Sequence, residues 1–179
     1  MSTATMPPVL FSRAEVQAAV SRLAGEISRD YHDRCPVLVG VLKGSFMFLG
    51  DLVRQLDFPL EVDFIRVTSY GPRGVTSGRA KIVHGLCCPV RGKDVIVVED
   101  IIDTGITTAF LLDYLAGKKP ASLKLCVLMD KPARRQKPVR IDYLGLATPD
   151  RFLVGYGMDW NEKYRNLPDV CFIETGDRC

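Results

Sequence analysis

The 179-residue sequence lacks the cysteine and histidine patterns of zinc-binding and disulfide-rich domains. Its six cysteines form no C-x-x-C pair, and its two histidines belong to no Cys/His group with zinc spacing. Cys87 and Cys88 are adjacent in the chain, so we do not expect them to bridge each other. Because disulfides persist mainly in oxidising compartments, we expect reduced thiols and a cytoplasmic protein.

Long apolar runs and a strong net charge are also absent. No apolar run approaches the roughly 20 residues that a membrane-spanning helix needs, and we find no signal peptide. The net charge of +3, from 24 basic and 21 acidic residues, is too small to indicate nucleic-acid binding by itself. We therefore expect no membrane or nucleic-acid partner.

Three common ligand-binding motifs are missing. The sequence contains no G-x-x-x-x-G-K-[ST] phosphate loop and no G-x-G-x-x-G fingerprint after a strand. Neither histidine has the acid and nucleophile that a catalytic triad would require. These absences exclude the simplest P-loop, dinucleotide-binding and triad-hydrolase interpretations.

The sequence does contain a strand–turn–helix pattern that occurs twice. Residues 37–42 and 95–98 are apolar runs typical of strands covered on both faces of a parallel sheet. Polar turns follow them, and the next residues predict helices over 46–56 and 106–116. The pattern predicts one α/β domain over residues 1–179.

Further segments complete this organisation. Ser12 and Glu15 form a capping box ahead of an amphipathic helix, and apolar or alternating runs predict additional strands. The run that begins at Leu60 alternates, with Val62 and Phe64 apolar and Asp63 polar, and predicts a strand with one exposed face or an edge strand. The remaining predictions are a loose arm over 1–10, a helix over 13–31, a mobile loop or lid over 69–79, and a solvated basic connection over 133–140.

The stretch after the second apolar run is the main candidate site. Glu99 and Asp100 follow Val98 directly, at the sheet edge where ligands bind in open α/β folds. Such acids can hold Mg²⁺ or ribose hydroxyls. Residues 103–108 then offer hydroxyls, a glycine and free N–H groups at a helix start, which suits an anion. The first turn, Lys43-Gly44-Ser45, is a second candidate anion site.

Four ordered motifs resemble those of type I phosphoribosyltransferases, and specifically the hypoxanthine-guanine branch. The strongest is the acidic segment Val97 to Gly105, which looks like the phosphoribosyl-pyrophosphate binding motif. The resemblance spans roughly residues 10–175 and rests on the motifs around Lys43, at 68–71, at 97–105 and at 152–168. It implies an α/β fold with a central, mainly parallel sheet flanked by helices, a small hood and a flexible active-site loop.

The resemblance also implies a role for each matching residue. Glu99 and Asp100 would hold the ribose hydroxyls, directly or through Mg²⁺, and Asp103 would exchange a proton with purine N7. Lys131 would donate to the purine 6-oxo group, Phe152 would stack on the base, and the Leu153 backbone would read its edge. The remaining implied roles are 5′-phosphate binding by Thr104, Gly105, Ile106 and Thr107; diphosphate binding by Lys43, Gly44 and Arg165; metal binding by Asp159, which also borders the purine; and loop closure around Ser69 and Tyr70.

The implied reaction joins purine N9 to C1′ of phosphoribosyl pyrophosphate and releases diphosphate. The resemblance implies an enzyme that depends on Mg²⁺ and forms a homo-oligomer, either a dimer or a tetramer. In this family, the turn that corresponds to Lys43 often contains a non-proline cis peptide. The sequence departs from the family at Ile106, where some members have a basic residue, and at Trp160, often tyrosine. Residues 80–93, with Cys87-Cys88, are also atypical.

Two alternatives stay open at this point. A regulator could keep this fold and bind a nucleotide without turnover, although the presence of Asp103, Lys131, Asp159 and Arg165 together disfavours it. A pyrimidine or xanthine substrate is disfavoured by Lys131 and Phe152. The sequence does not rank hypoxanthine against guanine, because both carry the 6-oxo group.

Overall fold

The computed structural model describes residues 6–70 and 79–173, without the side chains of residues 69, 70 and 79. Its helices are α1 (Arg13–Tyr31), α2 (Phe46–Val53) and α3 (Ile106–Ala116). Its strands are β1 (Val9–Phe11), β2 (Val37–Leu42), β3 (Glu61–Tyr70), β4 (Arg79–His84), β5 (Asp94–Ile102), β6 (Ser122–Asp130), β7 (Tyr143–Ala147), β8 (Phe152–Val154) and β9 (Val170–Ile173).

The larger sheet has six strands in the order β4-β3-β2-β5-β6-β7, and only the β3–β4 pair is antiparallel. Both of its faces are covered. In β5, Ile96 and Val98 pack in a core with α1 and α2, whereas Val95 and Val97 pack in a core with α3. This two-sided burial explains why β2 and β5 are continuous apolar runs, and it confirms the predicted mainly parallel α/β sheet.

A smaller antiparallel sheet, β1-β9-β8, corresponds to the hood. It includes part of the predicted loose arm, because Val9 pairs with Cys171 and Phe11 with Val170. The prediction of an arm over residues 1–10 was therefore wrong at its end. Local sequence could not indicate this strand, since its partner lies about 160 residues further along the chain.

The predicted helices differ from the observed ones mainly at their ends. α1 is confirmed, with Ser12 and Glu15 forming the capping box. α2 ends at Val53 rather than residue 56, and Phe46, its first residue, is 39% exposed. Phe48 takes the buried position instead. None of the helices in the described ranges is long and apolar enough to cross a membrane.

Burial in β3 is the reverse of its apolar–polar alternation at two positions. Val62 is 45% exposed, whereas Asp63 is buried. The Asp63 carboxylate accepts hydrogen bonds from the backbone N–H groups of Cys87 and Cys88, at 2.8 and 2.9 Å, and of Phe64, at 2.7 Å. Burial alone would raise the pKa of Asp63, but these hydrogen bonds outweigh it and lower that pKa. The backbone of the atypical Cys87-Cys88 segment is thus hydrogen-bonded to a side chain of β3.

The ends of two further segments also differ from the predictions. β5 continues to Ile102, so Glu99 and Asp100 belong to the strand rather than to a turn after it. The predicted loop over 69–79 begins and ends in strands, since β3 includes Ser69 and Tyr70 and β4 begins at Arg79. Residues 71–78 of that prediction lie outside the described residues.

Candidate active site

Four of the strand pairs in the larger sheet are parallel, so the carboxyl ends of these strands lie at one edge of the sheet. The predicted polar side chains follow the strands at that edge. The peptide bond between Leu42, at the end of β2, and Lys43 is cis, as the resemblance implied. β5 ends after Glu99 and Asp100, and β6 ends at Asp130, beside Ile102 in the β5–β6 register. The edge therefore brings the Lys43 turn, the acidic segment and Lys131 to one side of the sheet.

Glu99 and Asp100 are poorly solvated carboxylates. The Oε2 atom of Glu99 is buried, and no described residue gives it a hydrogen bond. Burial, together with the charge of Asp100, raises the pKa of Glu99 well above its ordinary value. Burial raises the pKa of Asp100 to about 6, although nearby backbone groups and Arg165 favour its ionised form. A cation or sugar hydroxyls would relieve both groups.

The Lys43 turn meets the acidic segment at Gly44. A Cβ atom built on Gly44 would overlap the Asp100 carboxylate, Oδ2 most severely. Only the absence of a side chain at residue 44 allows this approach. Two predicted subsites, those for the ribose and for the diphosphate, are therefore in direct contact.

A cluster of charged groups continues from this turn. Lys43 Nζ lies 2.9 Å from Glu162 Oε2, and Arg165 Nη2 lies 3.2 Å from the same oxygen. Arg165 Nη2 also lies 2.7 Å from Asp159 Oδ1, and Arg165 Nη1 donates to the Gly157 carbonyl at 2.8 Å. The hydrogen bonds from Lys43 and Arg165 lower the pKa of Glu162. The structure thus brings Lys43, Arg165 and Asp159 together, with Glu162 between the two cations.

Lys131 and Asp103 lie close enough for the charge of Asp103 to act on Lys131. Lys131 is only 5% exposed, and burial lowers the pKa of its ammonium, which the charge of Asp103 partly opposes. Asp103 Oδ1 lies 3.1 Å from Arg134 Nε, but no described residue gives this buried oxygen a well-directed hydrogen bond. Arg134 also lies 3.6 Å from Asp150. The site therefore holds a buried amine beside a carboxylate that forms an ion pair with Arg134.

An exposed aromatic ring is the next predicted feature of the site. Phe152, in β8, is 44% exposed, and its ring stands edge-to-face with Trp160 at a centroid distance of 4.8 Å. Leu153 is buried and pairs with Phe172 in the hood sheet. An exposed phenylalanine held at its edge by a second ring is suited to stacking on a planar ligand.

The phosphate loop, which we define as residues 104–107, begins α3. Gly105 has φ of 79°, a left-handed conformation that glycine adopts without steric cost. The carbonyl of Thr104 accepts hydrogen bonds from the N–H groups of Gln136 and Lys137, at 2.9 and 3.0 Å. As at any helix start, the first turn leaves N–H groups free for an anion.

Two predicted features are not assembled by the described residues. No group of three or more acidic, histidine or cysteine side chains among residues 6–70 and 79–173 could hold a metal ion. Asp159 is ion-paired with Arg165, so its predicted metal role stays a prediction, as does that of Glu99 and Asp100. Ser69 and Tyr70 lie at the end of β3, and their side chains lie outside the description.

Comparison with known proteins agrees with this geometry. A family model described as "Phosphoribosyl transferase domain" matches residues 12–161. The chain is 46% identical to a hypoxanthine-guanine phosphoribosyltransferase of Aquifex aeolicus over 167 residues, covering 93% of this chain and 94% of that protein. The chain belongs to the hypoxanthine-guanine phosphoribosyltransferase family. A crystal structure of such an enzyme from Bacillus anthracis is 44% identical, with a TM-score of 0.88 over 93% of this chain and 98% of that one.

A longer relative matches this chain in one part of its length. The bifunctional protein TilS/HprT of Listeria monocytogenes is 46% identical over 166 residues, which are 93% of this chain and 26% of that protein. The family resemblance inferred from the four motifs is thus confirmed, and so is the type I phosphoribosyltransferase fold.

Three side chains that the sequence analysis did not select lie at the phosphoribosyltransferase site. Glu162 lies between Lys43 and Arg165, and Arg134 faces Asp103. Arg135 pairs with Asp130 behind the phosphate loop. The two arginines fall in the segment predicted to be a solvated connection. That prediction was wrong for Arg135, whose side chain is 17% exposed, but it holds for Arg134, which is 47% exposed. A clue was available in Pro132, which begins a short 3-10 turn and directs the chain back toward the sheet edge.

Proposed function

We propose that this chain is a purine salvage enzyme that transfers the phosphoribosyl group of phosphoribosyl pyrophosphate to N9 of hypoxanthine or guanine. The products are IMP or GMP and diphosphate. The proposal is supported by the family membership and by the names of the relatives, which are hypoxanthine-guanine and hypoxanthine phosphoribosyltransferases.

The observation that carries the proposal is the buried ammonium of Lys131 beside Asp103, at the edge of the parallel sheet. An ammonium group only donates hydrogen bonds, so it favours the acceptor oxygen of a 6-oxopurine. A 6-aminopurine would leave two donors facing each other in a buried site, which discriminates strongly against adenine. Phe152 supports the same assignment because its exposed ring can stack on the base.

In the proposed reaction the bond from C1′ to diphosphate breaks ahead of attack by N9, so positive charge develops at C1′. As the N9–C1′ bond forms, Asp103 accepts the proton from purine N7. This role is supported by the position of the Asp103 carboxylate, which acts on the buried Lys131 ammonium and forms an ion pair with Arg134 at 3.1 Å. The leaving diphosphate takes the bonding electron pair, and Lys43 and Arg165 stabilise its charge.

The acids at the end of β5 fit a Mg²⁺ ion whose remaining ligands come from substrate. Magnesium is usually bound by one or two carboxylates together with substrate oxygens, and Glu99 Oε2 is a buried oxygen without a partner among the described residues. Bound there, Mg²⁺ would supply positive charge to the ribose and diphosphate oxygens. Asp159 is the proposed second contact, because its charge already acts on Asp100.

Further parts of the proposal concern the closed and assembled enzyme. We propose that Thr104, Gly105, Ile106 and Thr107 surround the 5′-phosphate with backbone N–H groups. The segment that follows Ser69 and Tyr70 would close over the reacting centre and exclude water, which would otherwise hydrolyse the sugar donor. We also propose a homo-oligomer, a dimer or tetramer, and a cytoplasmic location, which the five free cysteines among the described residues support.

The test is a Mg²⁺-dependent assay of the purified protein with phosphoribosyl pyrophosphate and each of hypoxanthine, guanine, xanthine, adenine and uracil. We expect nucleotide and diphosphate from hypoxanthine or guanine, and little or none from adenine and uracil. Formation of no nucleotide from any base, combined with binding of IMP or GMP, would instead support a regulator that keeps the fold without turnover. Chelation of the metal should abolish turnover.

A further inference from the structure

The phosphate loop carries Ile106 where some members of the family have a basic side chain. On sequence alone, this leaves the loop with backbone N–H groups and hydroxyls as its only donors. A 5′-phosphate is doubly charged, and charge-assisted hydrogen bonds hold such groups more strongly than neutral ones. A positive group at this loop would therefore have to come from elsewhere in the chain.

Arg135 lies directly against the loop. A Cβ atom built on Gly105 would be 3.0 Å from Arg135 Cδ and 3.1 Å from Arg135 Nη1, so this side chain packs on the glycine itself. The Arg135 side chain is only 17% exposed. Its Nη1 atom is buried, and no described residue accepts a hydrogen bond from it. An unused hydrogen-bond donor of a cationic side chain is thus buried beside the predicted phosphate site.

Asp130 fixes the position of this guanidinium. Asp130 is the last residue of β6, is 9% exposed, and accepts a hydrogen bond from Arg135 Nη2 through Oδ1. Its register partner in β5 is Ile102, two residues before the phosphate loop. The arginine and the loop are therefore positioned from neighbouring strands of one sheet.

The backbone after Arg135 holds the same loop. The N–H groups of Gln136 and Lys137 both donate to the Thr104 carbonyl. At the other end of this short segment, the Lys131 N–H donates to the Ile102 carbonyl at 3.0 Å. Residues 131–137 therefore connect Lys131, the proposed purine-binding lysine, with the phosphate loop. Backbone hydrogen bonds hold both ends of this segment against residues 102–104.

We propose that Arg135, held by Asp130, is a positioning residue that packs against Gly105 and supports the phosphate loop, with the unpartnered Nη1 donor of a cationic group that Ile106 does not offer. This inference rests on the proposed function, because it assumes a ligand with a 5′-phosphate. It predicts that loss of Arg135 weakens recognition of the phosphate and leaves recognition of the base and ribose largely intact.

The test compares IMP with inosine, which differ only in the 5′-phosphate, by isothermal titration of wild type and variants. With Arg135→Gln we expect the Kd of IMP to rise about tenfold, whereas the Kd of inosine changes less than about twofold. In steady-state assays the KM for phosphoribosyl pyrophosphate should rise and the KM for hypoxanthine should stay nearly constant. Arg135→Lys, which keeps the charge, should recover part of the loss.

Arg140→Gln is the matched control, because it removes the same charge from the same connection where the side chain is 84% exposed. We expect it to change neither Kd. Because Arg135→Gln leaves Asp130 buried without its partner, the double variant Asp130→Asn/Arg135→Gln provides a neutral pair of similar shape. It should show the same selective loss of IMP affinity.

Equal losses of IMP and inosine affinity in both variants would overturn the inference, since they would indicate a purely structural role. Unchanged IMP affinity would overturn it as well. Failure of the proposed function is a separate result, visible in the wild-type protein as absence of nucleotide formation with every base.

Discussion

Glu162 accepts a hydrogen bond from Lys43, with Oε2 2.9 Å from Nζ, and so partly neutralises a side chain proposed to bind diphosphate. The same oxygen lies 3.2 Å from Arg165 Nη2. A single carboxylate thus bridges the two cations of the diphosphate subsite. Diphosphate bound by these two cations would compete with Glu162, whose side chain is 64% exposed.

Replacement of this carboxylate should favour the donor substrate. With Glu162→Gln we expect the KM for phosphoribosyl pyrophosphate to fall about two- to fivefold at low salt, a modest effect because exposed ion pairs are weak. The gain should shrink as ionic strength rises. Glu26→Gln, which removes a carboxylate paired with Arg22 on α1, is the control in the same steady-state assay. A higher KM in Glu162→Gln would show that Glu162 instead helps to orient the cations.

Removal of the base-facing carboxylate tests the proposed proton transfer. Asp103→Asn should lower kcat by about 10²- to 10⁴-fold, the usual contribution of a general acid or base. Nucleotide binding, measured by titration with IMP, should be retained. Asp113→Asn, whose side chain on α3 is 80% exposed, should leave kcat unchanged. An unaltered rate in Asp103→Asn would remove Asp103 from the chemistry.

Base recognition should weaken at alkaline pH. Burial lowers the pKa of Lys131 below the ordinary lysine value of 10.5, so the amine loses its proton at a lower pH than a surface lysine does. The KM for hypoxanthine should then rise with pH in that range. Lys131→Met should raise this KM about 10- to 100-fold near neutral pH, because a hydrogen bond from a charged donor is lost.

The Lys131→Met profile also serves as the control for ionisation of the purine itself, which affects both proteins equally. Only the wild type should show the additional alkaline rise. Parallel pH profiles in the two proteins would mean that Lys131 does not titrate in the range measured.

The contact between Asp63 and the Cys87-Cys88 backbone should contribute to stability. Asp63→Asn should lower the free energy of unfolding by about 1–3 kcal/mol, because buried N–H groups lose a charged acceptor. Since the folded pKa of Asp63 is lowered, this contribution is present above the unfolded pKa and is lost as the pH falls through the folded one.

Urea unfolding of both proteins at several pH values measures this dependence. The difference between wild type and Asp63→Asn should be largest near neutral pH and smallest in acid. Asp33→Asn, at an exposed position, is the control. A difference that does not vary with pH would argue that Asp63 is not ionised in the folded protein.

The sequence predicted the central sheet well because burial on both faces leaves an unmistakable pattern. The apolar runs in β2 and β5 contain no alternating polar residues. Their side chains pack in two hydrophobic cores, one on each face of the sheet. The same pattern located the acidic segment at the edge where ligands bind. By contrast, β1 has three residues and depends on β9 for its pairing, so no local feature predicted it.

The site residues were predictable where several of them lie in one segment of the sequence. They were not predictable where their contacts come from segments that are distant in the sequence. Asp63 occupies a polar position in the alternating pattern of β3 and yet is buried. It can be buried because the backbone N–H groups of Cys87 and Cys88 donate hydrogen bonds to its carboxylate. Arg135 resembled a solvated residue, since its partner Asp130 is contributed by the end of β6. Arg134 is exposed as predicted, but its contact with Asp103 was not foreseen. Such pairings are set by tertiary contacts that spacing does not encode.

The approach of Gly44 to Asp100 constrains how this protein can diverge. Any side chain at residue 44 would displace the carboxylate, so a single substitution there would alter two subsites in one step. A side chain at residue 44 would fit only after Asp100 had been replaced by a smaller residue, and that replacement removes the carboxylate. The two positions are therefore expected to be epistatic, and libraries that diversify the diphosphate turn should vary them together.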